Sequence, residues 1–155
     1  MQDSRSRSSV TSMKINIKRI DKTLPLPKYE TAGSVGFDLI CRESAEIAPH
    51  SIVLIPANVI VETPPGYMLM VCLRSSTPRK FGLMMPQGVG IVDNDYCGEE
   101  DELKIQVYNF TDNVVNVERG SRIAQAIFVR VDTAEWNEVE QMSATSRGGF
   151  GSTDR

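Results

Sequence analysis

The sequence predicts an all-β fold, a sandwich or barrel that carries one short helix. Five stretches of the 155-residue chain have the alternating or wholly apolar pattern of short strands. Proline, glycine or asparagine stands between nearly all of them, which is the turn chemistry of closely spaced strands. The chain has 41% hydrophobic and 24% charged residues, a composition typical of a single globular domain with a buried core.

The predicted strands follow one another along the chain. Residues 14–20 alternate apolar and polar side chains, and residues 51–63 hold two β-branched runs divided by Pro56-Ala57-Asn58. Residues 66–74 are apolar on both faces, as in a buried strand. Residues 102–110 alternate again, and residues 121–131 alternate less regularly. In these last two strands, the residues expected to face the core are Leu103, Ile105, Val107, either Tyr108 or Phe110, Ile123, Ala126, Phe128 and Val129.

One short helix is expected within residues 75–82, directly after the buried strand. Ser76 or Thr77 can cap its amino end, and Pro78 can take the first helical position. The segment is long enough for one or two turns at most.

The two ends of the chain differ from the middle. Residues 1–12 are polar and rich in Ser and Arg, and they lack the apolar stretch of a signal peptide, so we expect a disordered leader or an expression remnant. Residues 13–142 are expected to form the β domain. Residues 143–155 contain three glycines, which predicts a flexible arm that becomes ordered only against a partner.

Charge, hydropathy and cysteine content exclude several classes of function. The net charge of −3 offers no basic surface for duplex nucleic acid. The longest apolar run, residues 67–73, is too short to cross a membrane. The three cysteines lack metal-site spacing and are expected to be reduced thiols, which predicts a cytoplasmic protein. The single histidine, His50, is expected on the surface.

Two stretches could meet an anion or approach another backbone closely. Residues 32–40 place several glycines before Asp38 at the head of a strand, and a simple turn would explain them equally well. Residues 73–78 place Arg74 and two serines at a helix start, where free backbone amides can bind an anion. A capped helix beside a surface arginine is the alternative.

Residues 88–102 predict a hairpin, because Gly90 and Asn94 tolerate unusual backbone angles. Period two would place Asp93 and Asp95 on one face and Tyr96 on the other, unless a bulge intervenes. An aspartate at the end of an apolar strand can activate a water molecule as a general base. A hairpin tip with charged side chains is the structural alternative, and the four acids at 99–102 are expected to be a solvated turn rather than a metal site.

Together with the glycine-rich tail, these segments resemble the motifs of the trimeric dUTP diphosphatase (dUTPase) family. The five matching segments occur in the family's order between about Lys14 and Asp154, and they read GSVGFDL, RSS, GVGIVDNDYCGE, RIAQ and RGGFGST. Any one of them is a weak signal, whereas five in order and near the family's spacing are a strong one. Arg147 stands three residues before Phe150, where the family's arginine stands five before its phenylalanine.

The resemblance implies a jelly-roll-like β domain that assembles as a homotrimer, with each active site built from three chains. The implied reaction is hydrolysis of dUTP to dUMP and pyrophosphate, which removes dUTP and supplies dUMP for thymidylate synthesis. The implied cofactor is Mg²⁺, held mainly by the substrate phosphates and water rather than by protein ligands.

The resemblance also implies roles for individual residues. Asp93 would activate the water that attacks the α-phosphorus, Tyr96 would pack on deoxyribose and exclude a 2′-hydroxyl, and Phe150 would stack on uracil. The hairpin at 87–91 would read the base, and Arg74 with its two serines would hold phosphates. The substrate-binding set implied besides Tyr96 and Phe150 is Arg74, Ser75, Ser76, Gln87, Gly90, Ile91, Lys104, Gln125, Arg147, Gly151 and Ser152.

Two alternatives remain open at the level of sequence. One is a dCTP deaminase of the same superfamily, or an enzyme that both deaminates and hydrolyses. The other is a dUTPase-like protein that acts chiefly as a nucleotide-gated regulator of a protein partner.

Overall fold

The computed structural model describes residues 12–148 of the chain, within which it has eleven short strands and one helix. The helix, α1, spans Thr77–Phe81. The strands are β1 Ile17–Arg19, β2 Phe37–Leu39, β3 Ala45–Ile47, β4 Ile52–Pro56, β5 Val59–Val61, β6 Tyr67–Leu73, β7 Leu83–Met84, β8 Gly90–Val92, β9 Lys104–Asn109, β10 Val115–Val117 and β11 Ala124–Arg130. The prediction of an all-β fold with one short helix is confirmed.

The strands pair in a nested order that gives the fold its jelly-roll character. Strand β2 pairs with β11, β3 with β10 and β4 with β9, all antiparallel, so the second half of the chain folds back on the first. The largest sheet has the order β2-β11-β6-β8, and a second sheet has the order β4-β9-β7. The remaining strands form the pairs β1-β5 and β3-β10.

The longest ladder joins β6 to β11. It runs from Tyr67 opposite Arg130 to Leu73 opposite Ala124. One face of this ladder packs into the core, where Leu69 and Ala126 are fully buried. The ladder therefore fixes the ends of β6 and β11, and the residues that follow β6 start from a rigid position.

The core lies between the two larger sheets. The largest side chains that are fully buried are Leu39, Ile47, Ile55, Leu69, Leu83, Ile105 and Ile123. The predicted core residues Leu103, Ile105, Val107, Ile123 and Ala126 are confirmed, whereas Phe128 and Val129 are only half-buried.

The inward position near the end of β9 is occupied by an asparagine, not by an aromatic residue. We expected Tyr108 or Phe110 there, but Tyr108 is half-buried, Phe110 is 42% exposed, and Asn109 is fully buried. Its amide nitrogen donates to the carbonyls of Ile47 (3.0 Å), Ala48 (3.2 Å) and Asn113 (2.8 Å). A buried amide is stable when its donors are paired, so the alternation of the strand continues through a polar residue.

The helix starts differently from the expectation. Ser76, one of the two expected caps, is at the N-cap position but makes no side-chain capping bond, and Pro78 is the second helical residue rather than the first. The Thr77 hydroxyl instead donates to the carbonyl oxygen of Ile123 at 2.6 Å. Helix α1 is therefore joined to the start of β11. Gly82 ends the helix in the left-handed region with φ 67°.

After β11 the described chain lies on the surface of the domain. Residues 132–148 contain no helix or strand, and each of them is exposed. Trp136 is 90% exposed. No helix among the described residues has the length and apolar character needed to span a bilayer.

Candidate functional site

A pocket of about 420 Å³ opens between the two larger sheets, and we call it the main pocket. Its walls come from β4 and β9 on one side and from β6 and β8 on the other. The lining residues are Leu54, Val71, Met85, Gln87, Gly90, Ile91, Val92, Asp93, Tyr96, Leu103 and Lys104. Six predicted site residues thus meet here, namely Gln87, Gly90, Ile91, Asp93, Tyr96 and Lys104.

The hairpin predicted at residues 88–102 does not form, because β8 and β9 do not pair with each other. Strand β8 pairs with β6 and places Gly90 opposite Val71, whereas β7 pairs with β9. Strands β7 and β8 therefore belong to different sheets, and the connection between them contributes Met85 and Gln87 to the lining of the main pocket. The positive backbone angle falls at Gly88, with φ 80°, and not at Gly90 or Asn94.

Asp93 and Tyr96 are joined by a turn. The Tyr96 N–H donates to the Asp93 carbonyl at 3.3 Å, directly after the end of β8. Because the chain turns here, the period-two expectation of opposite faces is wrong. Asp93 and Tyr96 both line the main pocket.

The turn is fixed to the loop before β6 by Asn94, a residue that the sequence analysis did not assign to the site. The Asn94 amide nitrogen donates to three carbonyls, those of Tyr67 (2.7 Å), Pro64 (3.0 Å) and Thr63 (3.2 Å). No signal in the sequence indicated these bonds, because an asparagine in a turn usually bonds to its own local backbone, whereas these carbonyls lie 27 to 31 positions earlier.

The acids after the turn are not the solvated cluster that we expected. Glu102 is only 8% exposed, and its carboxylate accepts from Arg42 Nε at 2.8 Å and Nη2 at 2.9 Å. Asp101 accepts from the Gly98 N–H at 2.7 Å, and Glu99 is ion-paired with Lys18. The prediction fails chiefly at Glu102, whose long-range partner Arg42 composition alone does not show, whereas Glu99 and Glu100 are exposed as expected.

A second group of predicted residues lies at the end of the β2-β11-β6 sheet, and we call it the arginine cluster. Arg74 Nε lies 3.2 Å from Asp38 Oδ1, and Arg122 Nη1 lies 3.2 Å from Asp38 Oδ2. Asp38 is 8% exposed, and its Oδ2 has no donor aligned for a hydrogen bond. Arg122 is also paired with Glu30, so the two guanidinium groups of the cluster face two carboxylates.

Gln125 lies at the same end of that sheet. It lies opposite Asp38 on β2, and its amide nitrogen is 3.5 Å from the Leu73 carbonyl. A Cβ on Gly36 would lie 3.0 Å from Gln125 Oε1, so glycine at that position leaves room for the amide. The first, second and fourth motifs therefore meet in space.

One chain does not bring its predicted site residues to a single place. The lining of the main pocket includes none of Arg74, Ser75, Ser76 or Gln125. Ser75 is exposed and Ser76 is half-buried beside the helix start. Arg147 is exposed in the extended segment after β11. Phe150, Gly151 and Ser152 lie outside the described residues.

Metal-binding side chains do not cluster within residues 12–148, where no three His, Cys, Asp or Glu residues are grouped so as to hold an ion. His50 lies on the surface, as expected, with Nε2 at 2.9 Å from Asp112 Oδ1. The three cysteines are free thiols. Burial raises the pKa of the Cys41 thiol to about 11.

Sequence comparison gives a family and close relatives. The dUTPase family model matches residues 22–154. The chain is 41% identical over 143 residues to the deoxyuridine 5′-triphosphate nucleotidohydrolase of Helicobacter pylori strain P12, with 91% of this chain and 97% of that protein covered. It is 40% identical over 151 residues to the protein of that name from Escherichia coli O9:H4 strain HS, with 92% and 98% covered.

Structural comparison agrees with the sequence matches. The dUTPase of Streptococcus mutans superposes with a TM-score of 0.71 at 35% identity, covering 77% of this chain and 98% of that one. The G164S mutant of the Staphylococcus bacteriophage 80alpha dUTPase, solved with dUpNHpp, gives a TM-score of 0.79 at 24% identity. That match covers 92% of this chain and 99% of the phage protein, and it shows a shared fold.

Proposed function

The chain belongs to the dUTPase family, and from that premise we propose how its residues divide the reaction between them. The protein is a dUTP diphosphatase that hydrolyses dUTP to dUMP and pyrophosphate. One observation supports the assignment of roles most strongly, which is that Asp93, Tyr96 and the connection at 87–91 line one pocket.

Asp93 is proposed as the general base. Its position directly after β8, on a turn anchored by Asn94, leaves its carboxylate at the rim of the pocket. The carboxylate accepts a proton from a water molecule whose oxygen attacks the α-phosphorus. The bond from the α-phosphorus to the bridging oxygen breaks, and pyrophosphate leaves with that oxygen. Such a base is worth about 10²–10⁴ in rate.

The base and the sugar are proposed to occupy the main pocket. Gly88, at φ 80°, and Gly90 keep the backbone at 87–91 accessible, so that its N–H and C=O groups can pair with the edge of uracil. Cytosine would leave such groups unpaired, which disfavours its binding. The Tyr96 ring would pack on deoxyribose and occupy the space that a 2′-hydroxyl needs.

The phosphates are proposed to meet the arginine cluster of a neighbouring subunit. Arg74, Ser75, Ser76 and Gln125 lie away from the main pocket of their own chain, so a complete site requires a second copy. A homotrimer with shared sites satisfies this requirement. The arm of a third chain, with Arg147, Phe150, Gly151 and Ser152, would close over the nucleotide and exclude water.

Mg²⁺ is proposed to arrive with the triphosphate. Among the described residues the main pocket offers Asp93 as its only lining carboxylate. Mg²⁺ in such sites is commonly held by substrate phosphates and water, with one or two carboxylates at most. When bound, the ion neutralises charge on the phosphates, and Lys104 can add a further positive charge at the pocket wall.

A cytoplasmic location is also proposed, because the three thiols are free and a reducing compartment keeps them so. In that compartment the reaction would lower the dUTP pool and supply dUMP for thymidylate synthesis.

The experiment is to incubate the protein with each deoxynucleoside triphosphate and with UTP, in the presence and absence of Mg²⁺, and to measure pyrophosphate. We expect rapid release from dUTP alone. Ammonia release from dCTP would instead support a deaminase, and equal hydrolysis of all nucleotides would contradict the proposed recognition by residues 87–91 and Tyr96.

Shared sites are tested by mixing two inactive variants. Asp93→Asn and Arg74→Ala are each expected to lose activity as pure proteins. Unfolding and refolding them together yields mixed trimers in which some sites have both residues intact. Recovery of activity supports sharing, whereas a mixture as inactive as its components contradicts it.

A further inference from the structure

The main pocket is bounded on one side by a segment whose position depends on a part-buried ion pair. Residues 97–103 lead from the turn that carries Tyr96 to the start of β9. Within that segment Glu102 is buried, and Leu103 and Lys104, which follow it, line the pocket. The position of Glu102 therefore determines the position of this wall of the pocket.

Arg42 holds the Glu102 carboxylate by two parallel hydrogen bonds. Nε lies 2.8 Å from Oε1 and Nη2 lies 2.9 Å from Oε2, the fork geometry that arginine forms with a carboxylate. The Asn58 N–H donates to the same carboxylate at 2.8 Å. Asn58 is itself in the left-handed region with φ 67°. Glu102 accepts three hydrogen bonds in all, so its carboxylate has one fixed orientation.

Backbone bonds connect the same three parts of the chain. The Arg42 N–H donates to Pro56 O at 2.8 Å, and the Ala57 N–H donates to Leu103 O at 2.8 Å. The Leu103 N–H donates to Val59 O at 2.9 Å. The ion pair is thus anchored to a rigid support, because two of the accepting carbonyls belong to Pro56 in β4 and Val59 in β5.

Tyr96 is coupled to this support through Glu102. The Tyr96 hydroxyl donates to the backbone carbonyl oxygen of Glu102 at 3.4 Å. Tyr96 is 40% exposed and lines the pocket, and this long contact links its hydroxyl to the wall at Glu102. A shift of Glu102 would therefore move both the Tyr96 ring and the neighbouring wall.

We propose that Arg42 is a positioning residue for nucleotide recognition, acting through Glu102 on the tyrosine that selects the sugar. The inference rests on the sugar-selecting role proposed for Tyr96. It assigns no part in bond breaking to Arg42, because the guanidinium is paired with Glu102 and with the neighbouring Glu43, and Arg42 does not line the pocket. Weakening the pair should loosen recognition more than it slows the chemical step.

The test uses Arg42→Lys and Glu102→Gln in the full-length protein. Lysine keeps the charge but lacks the fork that binds both carboxylate oxygens. Glutamine keeps the size and one acceptor for the Asn58 N–H. For each variant we would measure kcat and KM for dUTP and for UTP, at a temperature where circular dichroism shows the variant to be folded. Arg130→Ala serves as the control, because Arg130 contacts the Tyr67 ring and hydroxyl, and its side chain is not part of the pocket lining.

We expect a higher KM for dUTP and a fall in the dUTP-to-UTP ratio of kcat/KM of about 10- to 100-fold, the range for a displaced contact in a binding site. The kcat for dUTP should change by no more than about threefold, and Arg130→Ala should match the wild type. Folded variants that keep both the wild-type KM and the wild-type ratio would overturn the proposal. An equal loss of kcat for both nucleotides would overturn it too.

A parallel Tyr96→Ala variant distinguishes a failure of this proposal from a failure of the sugar-selecting role proposed for Tyr96. If Tyr96→Ala loses sugar discrimination while the Arg42 and Glu102 variants keep it, the positioning role of Arg42 is wrong and the role of Tyr96 stands. If Tyr96→Ala keeps full discrimination, the proposed role of Tyr96 itself is wrong.

Discussion

The side-chain amide nitrogen of Asn94 lies 2.7 Å from the backbone carbonyl oxygen of Tyr67, and two further carbonyls lie within 3.2 Å of the same nitrogen. This contact ties the Asp93–Tyr96 turn to the first residue of β6, which is the strand held along its whole length by β11. The ladder between β6 and β11, the longest in the fold, therefore helps to fix the position of Asp93, the proposed catalytic carboxylate.

Asn94→Asp should disturb the site by electrostatics alone. The variant keeps the side-chain size but turns a donor into a charged acceptor that faces three carbonyl oxygens. We expect the turn to move and kcat/KM for dUTP to fall by about 10²-fold, as for a misplacement near 1 Å. Asn116→Asp, at an exposed position on β10, is the matched control. Equal kcat/KM values in the two variants would mean that Asn94 does not position the site.

Asp93→Asn should abolish most turnover and leave nucleotide binding intact. The amide has nearly the shape of the carboxylate but cannot accept a proton from water. Turnover should fall by about 10²–10⁴, the usual contribution of a general base. The affinity for a non-hydrolysable dUTP analogue, measured by calorimetry, should change little. Turnover near that of the wild type would show that another group activates the water.

Removal of the residues after Thr145 should separate folding from catalysis. Residues 132–148 are exposed throughout, so the end of the described chain contributes little to the core. We expect an unchanged melting temperature and oligomeric state, with kcat/KM lowered by about 10²-fold because closure over the nucleotide is lost. Deletion of Arg155 alone is the control. Normal catalysis by the longer truncation would contradict the role of the arm.

Asn109→Ala should destabilise the fold strongly. The substitution removes donors to the carbonyls of Ile47, Ala48 and Asn113, in a place that water does not reach. We expect the free energy of unfolding to fall by about 3 kcal/mol, from unpaired buried groups and a small cavity. Urea unfolding measures this loss of unfolding free energy, and Asn116→Ala serves as the control at an exposed position. A loss below about 1 kcal/mol would mean that the site relaxes or admits water.

Asp21 should make stability depend on pH in acid. Hydrogen bonds from the Thr23 hydroxyl, and then from Arg119, hold the pKa of Asp21 below its ordinary value of 3.8. A lowered pKa in the folded state adds stability above the unfolded pKa, and this contribution disappears as the pH falls through the folded pKa. The gap in unfolding free energy between wild type and Asp21→Asn should therefore shrink as the pH falls below about 4.

Urea titrations from pH 7 down to the lowest pH at which the protein remains folded would measure that gap. Glu138→Gln, in the exposed segment after β11, controls for the loss of one carboxylate. A gap that stays constant or widens in acid would show that the bonds around Asp21 do not lower its pKa.

Some of the fold and site follow from local pattern alone. The alternation in residues 102–110 identifies Leu103, Ile105 and Val107 as core, because side chains along a strand point to opposite faces in turn. Asp93 and Tyr96 are three positions apart, so any turn between them brings both to one place. These features involve residues that are close together in the chain, and such residues can be read directly from the sequence.

Other features depend on partners that are distant along the chain. The burial of Glu102 requires Arg42, which lies 60 positions earlier, and the anchoring of Asn94 requires a carbonyl 27 positions earlier. In the sequence Glu102 is one of four consecutive acids, and only the pairing of strands decides that it faces a guanidinium while the others face solvent or local donors.

The amino-acid sequence by itself determined the all-β class and the motif order, and it supplied the residues proposed for the chemistry, because strand periodicity and turn chemistry are local properties of the chain. The tertiary structure decided that 87–91 connects two sheets, that the arginine cluster lies apart from the main pocket, and that the Tyr96 hydroxyl meets the backbone of Glu102, which is paired with Arg42. The reason is physical: hydrogen bonds between strands and the burial of a charge depend on which distant segments meet, and this is fixed only when the whole core packs.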